Sequence, residues 1–242
     1  MEPATGGGMI GKSGTVALVG SGEFLPTMDP VDRALIARLA EPPRVAIVPT
    51  ASAPDGDAVF ERWLRMGVEH FTRLGAEATP IPLRTRADAD DPALAEGIAK
   101  ANFVYLSGGK PTYLRETFDG TACWRAITEV YHRGGVLAGC SAGAMVLGGT
   151  MLRFRPVPGP ADGLGLLPGI LIIPHFDEFR VNPGPFLGLL PEHVTVVGVD
   201  GGTALVGSPG QWTVEGKGSV TVFEGSNRLR YLAGQAVPIR TG

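Results

Sequence analysis

The sequence predicts an α/β protein folded as a three-layer α/β/α sandwich, with a mostly parallel sheet and antiparallel strands at its C-terminal end. Short apolar segments alternate with helical segments from residue 15 to about residue 150, at the spacing of βαβ units. These segments are apolar on both faces, as in a parallel sheet that helices cover on both sides. After residue 194, short strand-like segments follow one another closely, which is typical of an antiparallel meander.

The best-defined helix has apolar residues at positions i, i+3, i+4, i+7, i+8 and i+11, which form one stripe along its surface. The residues of this stripe are Phe60, Trp63, Leu64, Gly67, Val68 and Phe71. Around it, in chain order, we predict strands over 15–19, 44–48, 78–83, 103–106 and 135–138, and helices over 33–39, 92–100 and 121–133. Glycines at 134 and 135 end the last of these helices.

The pattern changes after Gly148. Prolines and a glycine over 156–160 predict a rigid, irregular loop. Strands are then predicted over 169–174, 194–199, 203–206, 212–215 and 219–223, with the last four finishing the same sheet as a meander. Residues 1–14 are glycine-rich and lack periodicity, so we predict a flexible tail there and a single domain over 15–242.

Composition excludes several classes of function. The net charge of -3 gives no basic face for nucleic acid, and the 44% of hydrophobic residues fit a globular protein. The two cysteines, Cys123 and Cys140, are too few for a disulfide framework or a four-cysteine zinc site. Apolar runs are far shorter than the roughly 18 residues of a membrane span. With no secretory signal visible, we expect a cytoplasmic protein without a membrane partner, and we predict no metal and no cofactor.

A match to the phosphate-binding P-loop pattern occurs over residues 6–13. That loop needs a strand before it and a helix after it, so that backbone N–H groups and the helix N-terminus surround the phosphate. Here a glycine-rich tail precedes the match and a strand follows it. The context therefore argues against nucleotide binding.

The most informative motif is Gly-Cys-Ser-Ala-Gly over 139–143. It follows a short apolar strand and precedes a run of small residues with helical character, which is the context of a nucleophile elbow. The middle residue of such an elbow is exposed, so the motif predicts Ser141 as the nucleophile of a hydrolase. Cys140 is the rival nucleophile because a thiol is intrinsically more reactive, but its position predicts a side chain that points back into the fold.

A serine nucleophile needs a base within hydrogen-bond reach. His175 ends an apolar strand, and active sites of open α/β sheets lie outside such strand ends, so we predict it as the base. His70 lies on the charged flank of the striped helix and is predicted to be solvated. His132 is placed at a helix C-terminus, and His193 in a Pro-Glu-His turn.

Acyl transfer also needs donors for the oxyanion of the tetrahedral intermediate. One is the backbone N–H of Ala142, directly after the nucleophile. Gly108 and Gly109 follow a predicted strand and can bring bare backbone close to a ligand, so this loop is the candidate source of the second donor.

Together these pieces resemble a known family. The glycine pair after a strand, the Gly-Cys-Ser-Ala-Gly-Ala-Met segment around Ser141, and Ile-Pro-His-Phe around His175 are similar to the S51 serine peptidases, which include the aspartyl dipeptidases (dipeptidase E) and the cyanophycinases. The resemblance runs from about Val16 to Val222 and includes the segment 199–206.

The resemblance implies a class I glutamine amidotransferase-like fold and hydrolysis next to aspartyl or β-aspartyl groups, without a metal. It also implies roles for four residues at this site: Ser141 as the nucleophile, His175 as the base, and Gly109 and Ala142 as oxyanion donors. We predict Gly108, beside Gly109, as a further residue of the oxyanion or substrate-binding site.

Two departures from the family pattern concern charge. The resemblance implies a third catalytic residue, a carboxylate in the segment that corresponds to residues 153–160, but that segment contains no acid. Asp162 is the only acid between Ser141 and His175. Asp162 could instead cap a turn in its loop. Asp177, Glu178 and Asp200 are the alternative partners of the histidine or contacts of the substrate, and a site without a third residue is the remaining option.

The second departure is Lys110-Pro111, where the family usually has an uncharged or acidic polar residue after the glycine pair. Three arginines, Arg153, Arg155 and Arg180, flank the serine and the histidine in sequence. Arginine binds carboxylates through two parallel hydrogen bonds, which favours an acidic substrate group, although each arginine alone fits a solvated surface residue.

The sequence therefore predicts a serine peptidase or hydrolase that cleaves a small peptide or amide. Two alternatives stay open: a non-catalytic binding protein of the same fold without a full triad, and an amidotransferase-like enzyme that depends on Cys140. A small peptide is the expected partner. The sequence leaves the oligomeric state open, with a homodimer as one option.

Overall fold

A computed structural model of the protein describes residues 13–153, 158–178, 188, 190–191, 193–224 and 227–239. It contains two β-sheets flanked by helices, which confirms the predicted α/β class. The predicted tail (residues 1–14) and the P-loop match (residues 6–13) fall mostly outside the described residues, which begin at residue 13. Gly14, at the end of the tail, is bound to the domain because its N–H donates to the carbonyl of Tyr131 at 3.0 Å.

From Thr15 to Leu147 the chain alternates strands and helices as predicted. The strands are β1 (Thr15–Val19), β2 (Arg44–Val48), β3 (Glu77–Pro80), β4 (Phe103–Leu106) and β5 (Val136–Cys140). The helices are α1 (Asp29–Ile36), α2 (Asp57–Arg73), α3 (Arg86–Ala89), α4 (Pro92–Ala99), α5 (Pro111–Phe118), α6 (Ala122–His132) and α7 (Ala142–Leu147). Helices α3 and α5 were not predicted, and the striped helix α2 is longer than its stripe.

After α7, the described residues form strands joined by turns and loops, without a further helix. Its strands are β6 (Gly148–Arg153), β7 (Gly159–Asp162), β8 (Leu167–Ile173), β9 (Thr195–Val199), β10 (Thr203–Ser208), β11 (Gln211–Gly216), β12 (Ser219–Glu224), β13 (Asn227–Leu232) and β14 (Ala236–Val237).

The larger sheet, as far as the described residues show it, has the order β14-β11-β10-β1-β5-β4-β2-β3. Strands β1 to β5 are parallel, and β10, β11 and β14 join them antiparallel. Alternate residues of β1, β2, β4 and β5 enter two different apolar clusters, one with α1 and α2 and the other with α4 to α7. Helices therefore cover both faces, as the apolar strands predicted.

The prediction of one sheet was wrong. Strands β13-β12-β9-β8-β6-β7 form a second sheet, in which β6, β8 and β9 are parallel. The predicted meander is divided between the sheets, because β9 and β12 belong to the second and β10 and β11 to the first. Short apolar strands of this kind carry no local signal of the sheet that they join.

The loop predicted over 156–160 was partly wrong as well. Residues 154–157 lie outside the described residues, but Gly159 and Pro160 begin β7, which pairs antiparallel with β6. Proline lacks an N–H to donate to a sheet, so it is tolerated here because β7 is an edge strand.

Parallel strands place their carboxyl ends along one edge of a sheet, and this edge holds the loops that matter for function. The segments that follow β1, β4 and β5 lie there side by side, since these strands are neighbours in register. Within the described ranges, no helix has the length and hydrophobicity that crossing a membrane requires.

Candidate active site

Ser141 lies in the sharp turn between β5 and α7. Its backbone has φ 51° and ψ -110°, a region that residues other than glycine rarely adopt. The turn is held from both sides: the Ser141 N–H donates to the carbonyl of Val19 at 3.0 Å, and its own carbonyl accepts from the N–H of Met145 at 3.0 Å. This is the strained strand-to-helix turn of a nucleophile elbow.

Two glycines make this turn sterically feasible. A Cβ atom on Gly139 would lie 2.4 Å from the carbonyl oxygen of Gly143, and one on Gly143 would lie 2.3 Å from the carbonyl oxygen of Leu106. Both contacts are with backbone atoms, which cannot move aside as a side chain can. The glycines of the motif are therefore a requirement of the packing around Ser141.

His175 reaches Ser141 from the second sheet. It lies two residues beyond the end of β8, also with a positive φ of 52°, and its Nε2 is 3.1 Å from the hydroxyl oxygen of Ser141. The structure thus brings together two residues that are 34 positions apart in the chain. The site lies where the carboxyl ends of strands from both sheets meet.

The backbone donors predicted for the oxyanion differ in availability. Neither Gly109 N–H nor Ala142 N–H has a hydrogen-bond acceptor among the residues that the structure describes. Ala142 is the first residue of α7, where backbone N–H groups lack partners inside the helix. Gly108 differs, because its N–H already donates to Oε1 of Glu23 at 2.9 Å.

Gly109 has a conformation that its loop demands. Its φ is 144°, and a Cβ atom there would lie 2.2 Å from the carbonyl oxygen of Ala51. That same carbonyl accepts from the N–H of Lys110 at 2.7 Å, which holds the loop against the neighbouring segment after β2. A side chain at this position would displace the loop.

Glu23 is a residue of the site that the sequence analysis missed. Its carboxylate is buried, with Oε1 accepting from Gly108 N–H and Oε2 from the Cys140 thiol, each at 2.9 Å. It thereby joins the segments that follow β1 and β4 to the end of β5. An acidic residue just after a buried strand, at the carboxyl edge of a parallel sheet, was the available signal.

Cys140 is buried, as its place in the elbow predicted. Burial raises the pKa of its thiol well above the usual value, and the negative charge of Glu23 raises that pKa further. Because the thiolate is the reactive form, this protonated and enclosed sulfur is a poor nucleophile. The geometry does not support the alternative in which Cys140 carries the reaction.

The carboxylate that faces His175 is Glu178. Its Oε2 lies 3.7 Å from Nδ1 of His175, and the Glu178 side chain is 70% exposed. Among the described residues, no carboxylate is bonded more closely to this ring.

The other three candidate acids have different surroundings. Asp162 is exposed at the end of β7, opposite Thr150. Its strand is separated from β8 by β6, or about 10 Å across the sheet, so the structure does not bring Asp162 to His175. Asp177 accepts from the N–H of Gly201 at 2.7 Å. Asp200 accepts from the N–H and the hydroxyl of Ser219, at 2.9 and 2.6 Å.

The prediction for His70 was wrong. This residue is buried, and its Nε2 lies 2.8 Å from Oδ2 of Asp32 in α1. The flank of α2 that looks charged in sequence faces another helix, so the histidine has a carboxylate partner inside the protein. His132 ends α6 as predicted, and His193 lies in a turn.

The charged residues expected near the site are only partly described. Arg155 and Arg180 lie outside the described residues, while Arg153 ends β6 and has an interaction partner. Lys110 forms an ion pair with Asp55, with 3.2 Å between Nζ and Oδ1. The described residues contain no group of three or more His, Cys, Asp or Glu side chains placed to hold a metal ion.

Ser141 and His175 lie between two cavities that we name the polar arm and the apolar arm of the cleft. The polar arm has a volume of about 460 Å³, and Glu23, Asp55 and Arg62 contribute its charged groups. The apolar arm has a volume of about 320 Å³ and is lined mainly by aliphatic side chains. Gly109, Ser141 and His175 line both arms.

Known proteins share this fold and about a third or less of this sequence. The chain is similar to a peptidase from an acI-B1 Actinobacterium whose crystal structure is known. The two are 32% identical, and their structures superpose over 93% of this chain and 97% of that peptidase with a TM-score of 0.82. A putative peptidase E protein from Listeria monocytogenes EGD-e matches at 15% identity over 91% of this chain and 99% of its own, with a TM-score of 0.54, which supports the fold alone.

Two curated relatives, both named cyanophycinase, come from Synechococcus elongatus and Thermosynechococcus vestitus. Each is 28% identical over 193 residues, which are 74% of this chain, and the chain spans 58% of the length of each. The model of peptidase family S51 matches residues 16–213, a range that includes both Ser141 and His175. The chain is therefore a member of peptidase family S51.

Proposed function

We propose that the protein is a serine-type peptidase that hydrolyses a peptide or amide bond of a small substrate, with Ser141 as the nucleophile and His175 as the base. The observation that carries the proposal is the 3.1 Å contact between Nε2 of His175 and the hydroxyl of Ser141 in a strained elbow. Membership of a peptidase family supports the same reaction class.

The reaction follows from this geometry. His175 accepts the hydroxyl proton as the Ser141 oxygen attacks the carbonyl carbon, which forms a tetrahedral intermediate. The N–H groups of Gly109 and Ala142 donate to its oxyanion. His175 then gives the proton to the leaving amine, the C–N bond breaks, and an acyl-serine remains. Water, deprotonated by the same histidine, hydrolyses this ester and restores Ser141.

Glu178 is the candidate partner for Nδ1 of His175 in this scheme. It is mostly exposed and 3.7 Å away, so its attraction for a protonated His175 is weakened by solvent. The arrangement thus corresponds to a Ser–His pair whose acid, Glu178, lies near the histidine but beyond hydrogen-bond distance. Losing the acid of a tight triad costs about 10⁴-fold in kcat, so we expect a modest turnover rate.

A panel of short peptides, including α- and β-aspartyl dipeptides, tests the proposed function. Wild type should cleave at least one peptide, and Ser141→Ala should lose that activity by three orders of magnitude or more, roughly the loss seen on removing a catalytic serine. The matched control is Cys140→Ser, which retains a hydroxyl donor for Glu23 and should keep most activity. Equal cleavage by wild type and Ser141→Ala would show that another group carries the reaction.

The second candidate is a binding protein that keeps the elbow as a scaffold. The observation that favours it is the exposed and distant acid at His175. Binding of panel peptides without cleavage, with equal affinity in wild type and Ser141→Ala, would support this function against the first.

A further inference from the structure

The apolar arm opens directly beside the Ser141–His175 pair. Its walls are the buried side chains of Met145 on α7, Leu152 on β6, and Ile172 and Ile173 on β8, with Pro111 at the start of α5. Elements from both sheets thus converge on one aliphatic cavity. A cavity of about 320 Å³ lined in this way is within the range of small-molecule sites.

The charge of Lys110 does not alter the character of this arm. Lys110 lines the arm, but its ammonium group is paired with Asp55, which belongs to the polar arm. The methylene stem of a lysine can cover apolar surface while its charged end is solvated or paired elsewhere. The apolar arm therefore offers aliphatic surface and no unpaired charge from Lys110.

The polar arm differs from the apolar arm because charged side chains stand among its apolar ones. Its wall carries Arg62 and Trp63 from α2, and Ser52 and Asp55 from the segment after β2. Arg62 is exposed, and it has no ion-pair partner among the described residues. A substrate that spans the cleft thus meets charged groups beside Leu25, Trp63 and Met66 on one side of Ser141, and mainly aliphatic groups without such charges on the other.

We propose that the apolar arm is the binding site for an apolar side chain of the substrate, on one side of the bond that is cleaved, while the polar arm accepts a polar residue on the other side. This proposal rests on the proposed function and adds a substrate class to it: short peptides that join an aliphatic residue to a polar or charged one. Burying an aliphatic side chain in such an arm favours it over a polar side chain of equal size by roughly 10- to 100-fold.

The test uses pairs of peptides in which one residue is either leucine or asparagine, whose side chains have similar shapes. One pair varies the residue before the cleaved bond, and a second pair varies the residue after it. We expect kcat/KM to favour leucine by at least tenfold at one of the two positions. Each pair is also used to compete with labelling of Ser141 by a small fluorophosphonate, so that the preference is measured for peptides that are not turned over. Equal values at both positions, in cleavage and in competition, would overturn the proposal.

Two variants assign the preference to the arm. Leu152→Asn and Met145→Gln replace wall residues with polar ones of similar size, and either should reduce the preference for leucine by about tenfold. Leu232→Asn is the matched control, because Leu232 is exposed on β13 and lines neither arm. Fluorophosphonate labelling identifies variants that retain the folded site.

The two proposals fail in different ways. A leucine preference that persists undiminished in both Leu152→Asn and Met145→Gln, with labelling intact, would place the apolar site elsewhere and leave the proposed function standing. Labelling that survives Ser141→Ala would instead overturn the proposed function itself.

Discussion

At the residue scale, Glu23 links the elbow to the neighbouring glycine loop. By accepting from Gly108 N–H and from the Cys140 thiol, it fixes the backbone that carries one predicted oxyanion donor and the strand end that carries Ser141. It contacts neither Ser141 nor His175 through a hydrogen bond in the described residues. Its role is therefore that of a positioning residue.

Replacing Glu23 tests this positioning role. Glu23→Ala leaves Gly108 N–H without an acceptor, so we expect kcat to fall by about 10- to 100-fold, below the roughly 10²- to 10³-fold loss on removing an oxyanion donor outright. Glu23→Gln keeps an acceptor oxygen and should retain most activity. Steady-state kinetics of the two variants, with circular dichroism to confirm folding, measure the effect. A kcat of the wild-type value in Glu23→Ala would show that the Gly108–Gly109 loop keeps its conformation without the Glu23 carboxylate.

The buried thiols make alkaline stability a second observable at this scale. Burial raises the pKa of Cys140 well above its usual value and that of Cys123 to about 11, while an unfolded thiol has a pKa near 8.5. Above that pH the unfolded chain loses these protons first. The free energy of unfolding should therefore be unaffected by these thiols below about pH 8 and should fall as the pH rises beyond 9.

Urea unfolding between pH 7 and 10.5 checks this expectation, with Cys140→Ser as the comparison. The variant lacks the thiol that titrates, so its stability should fall less steeply with pH than that of wild type. Identical slopes in the two proteins would mean that Cys140 does not keep its proton in the folded state.

At the element scale, the turn from β5 to α7 is set by steric contacts. A Cβ atom on Gly139 would meet backbone atoms of Gly143 and Ala144 within 3 Å. Gly139→Ala should therefore lower the free energy of unfolding by about 1–3 kcal/mol, as overpacking does in other cores, and should reduce activity more than stability because the turn carries Ser141.

Gly97→Ala is the matched control for this substitution. Gly97 lies within α4, and an added Cβ would make only an ordinary contact with Ile81 at 3.6 Å. Alanine favours a helix interior by about 1 kcal/mol over glycine, so this variant should be slightly more stable than wild type. Urea denaturation measures both variants, and a Gly139→Ala protein as stable as Gly97→Ala would contradict the steric account.

The elements that the sequence predicted best are those with their own local signal. Helix α2 was predictable from the spacing of its apolar stripe, and the elbow from its small residues between a strand and a helix. Edge strand β7 was not, because prolines normally argue against a strand. His70 was misplaced for a related reason: helical periodicity shows that a flank is polar, and cannot show that Asp32 on another helix faces it.

At the scale of the whole molecule, the site depends on how two sheets meet. The chain crosses from β9 in the second sheet to β10 in the first, and returns from β11 to β12. Asp200 and Ser219 join these two crossings, because the N–H of each residue donates to an oxygen of the other, at 3.1 and 2.9 Å. This pairing joins residues that are 19 positions apart, and no local pattern in the sequence encodes it.

The same scale explains why the proximity of Ser141 and His175 was predictable while their surroundings were not. Ser141 and His175 each follow a buried strand at a carboxyl end, which is a property of single segments. Three other features depend on the pairing of strands that are distant in sequence. They are the position of Glu178 beside the His175 ring, the distance between Asp162 and that ring, and the two arms of the cleft.

The central claim is that Ser141 is the nucleophile that His175 activates. Mass spectrometry of the intact protein after exposure to a fluorophosphonate tests it most directly, with Ser141→Ala and Cys140→Ala labelled in parallel. We predict one added group on wild type and on Cys140→Ala, and none on Ser141→Ala. Labelling of Ser141→Ala at the wild-type rate would contradict the claim.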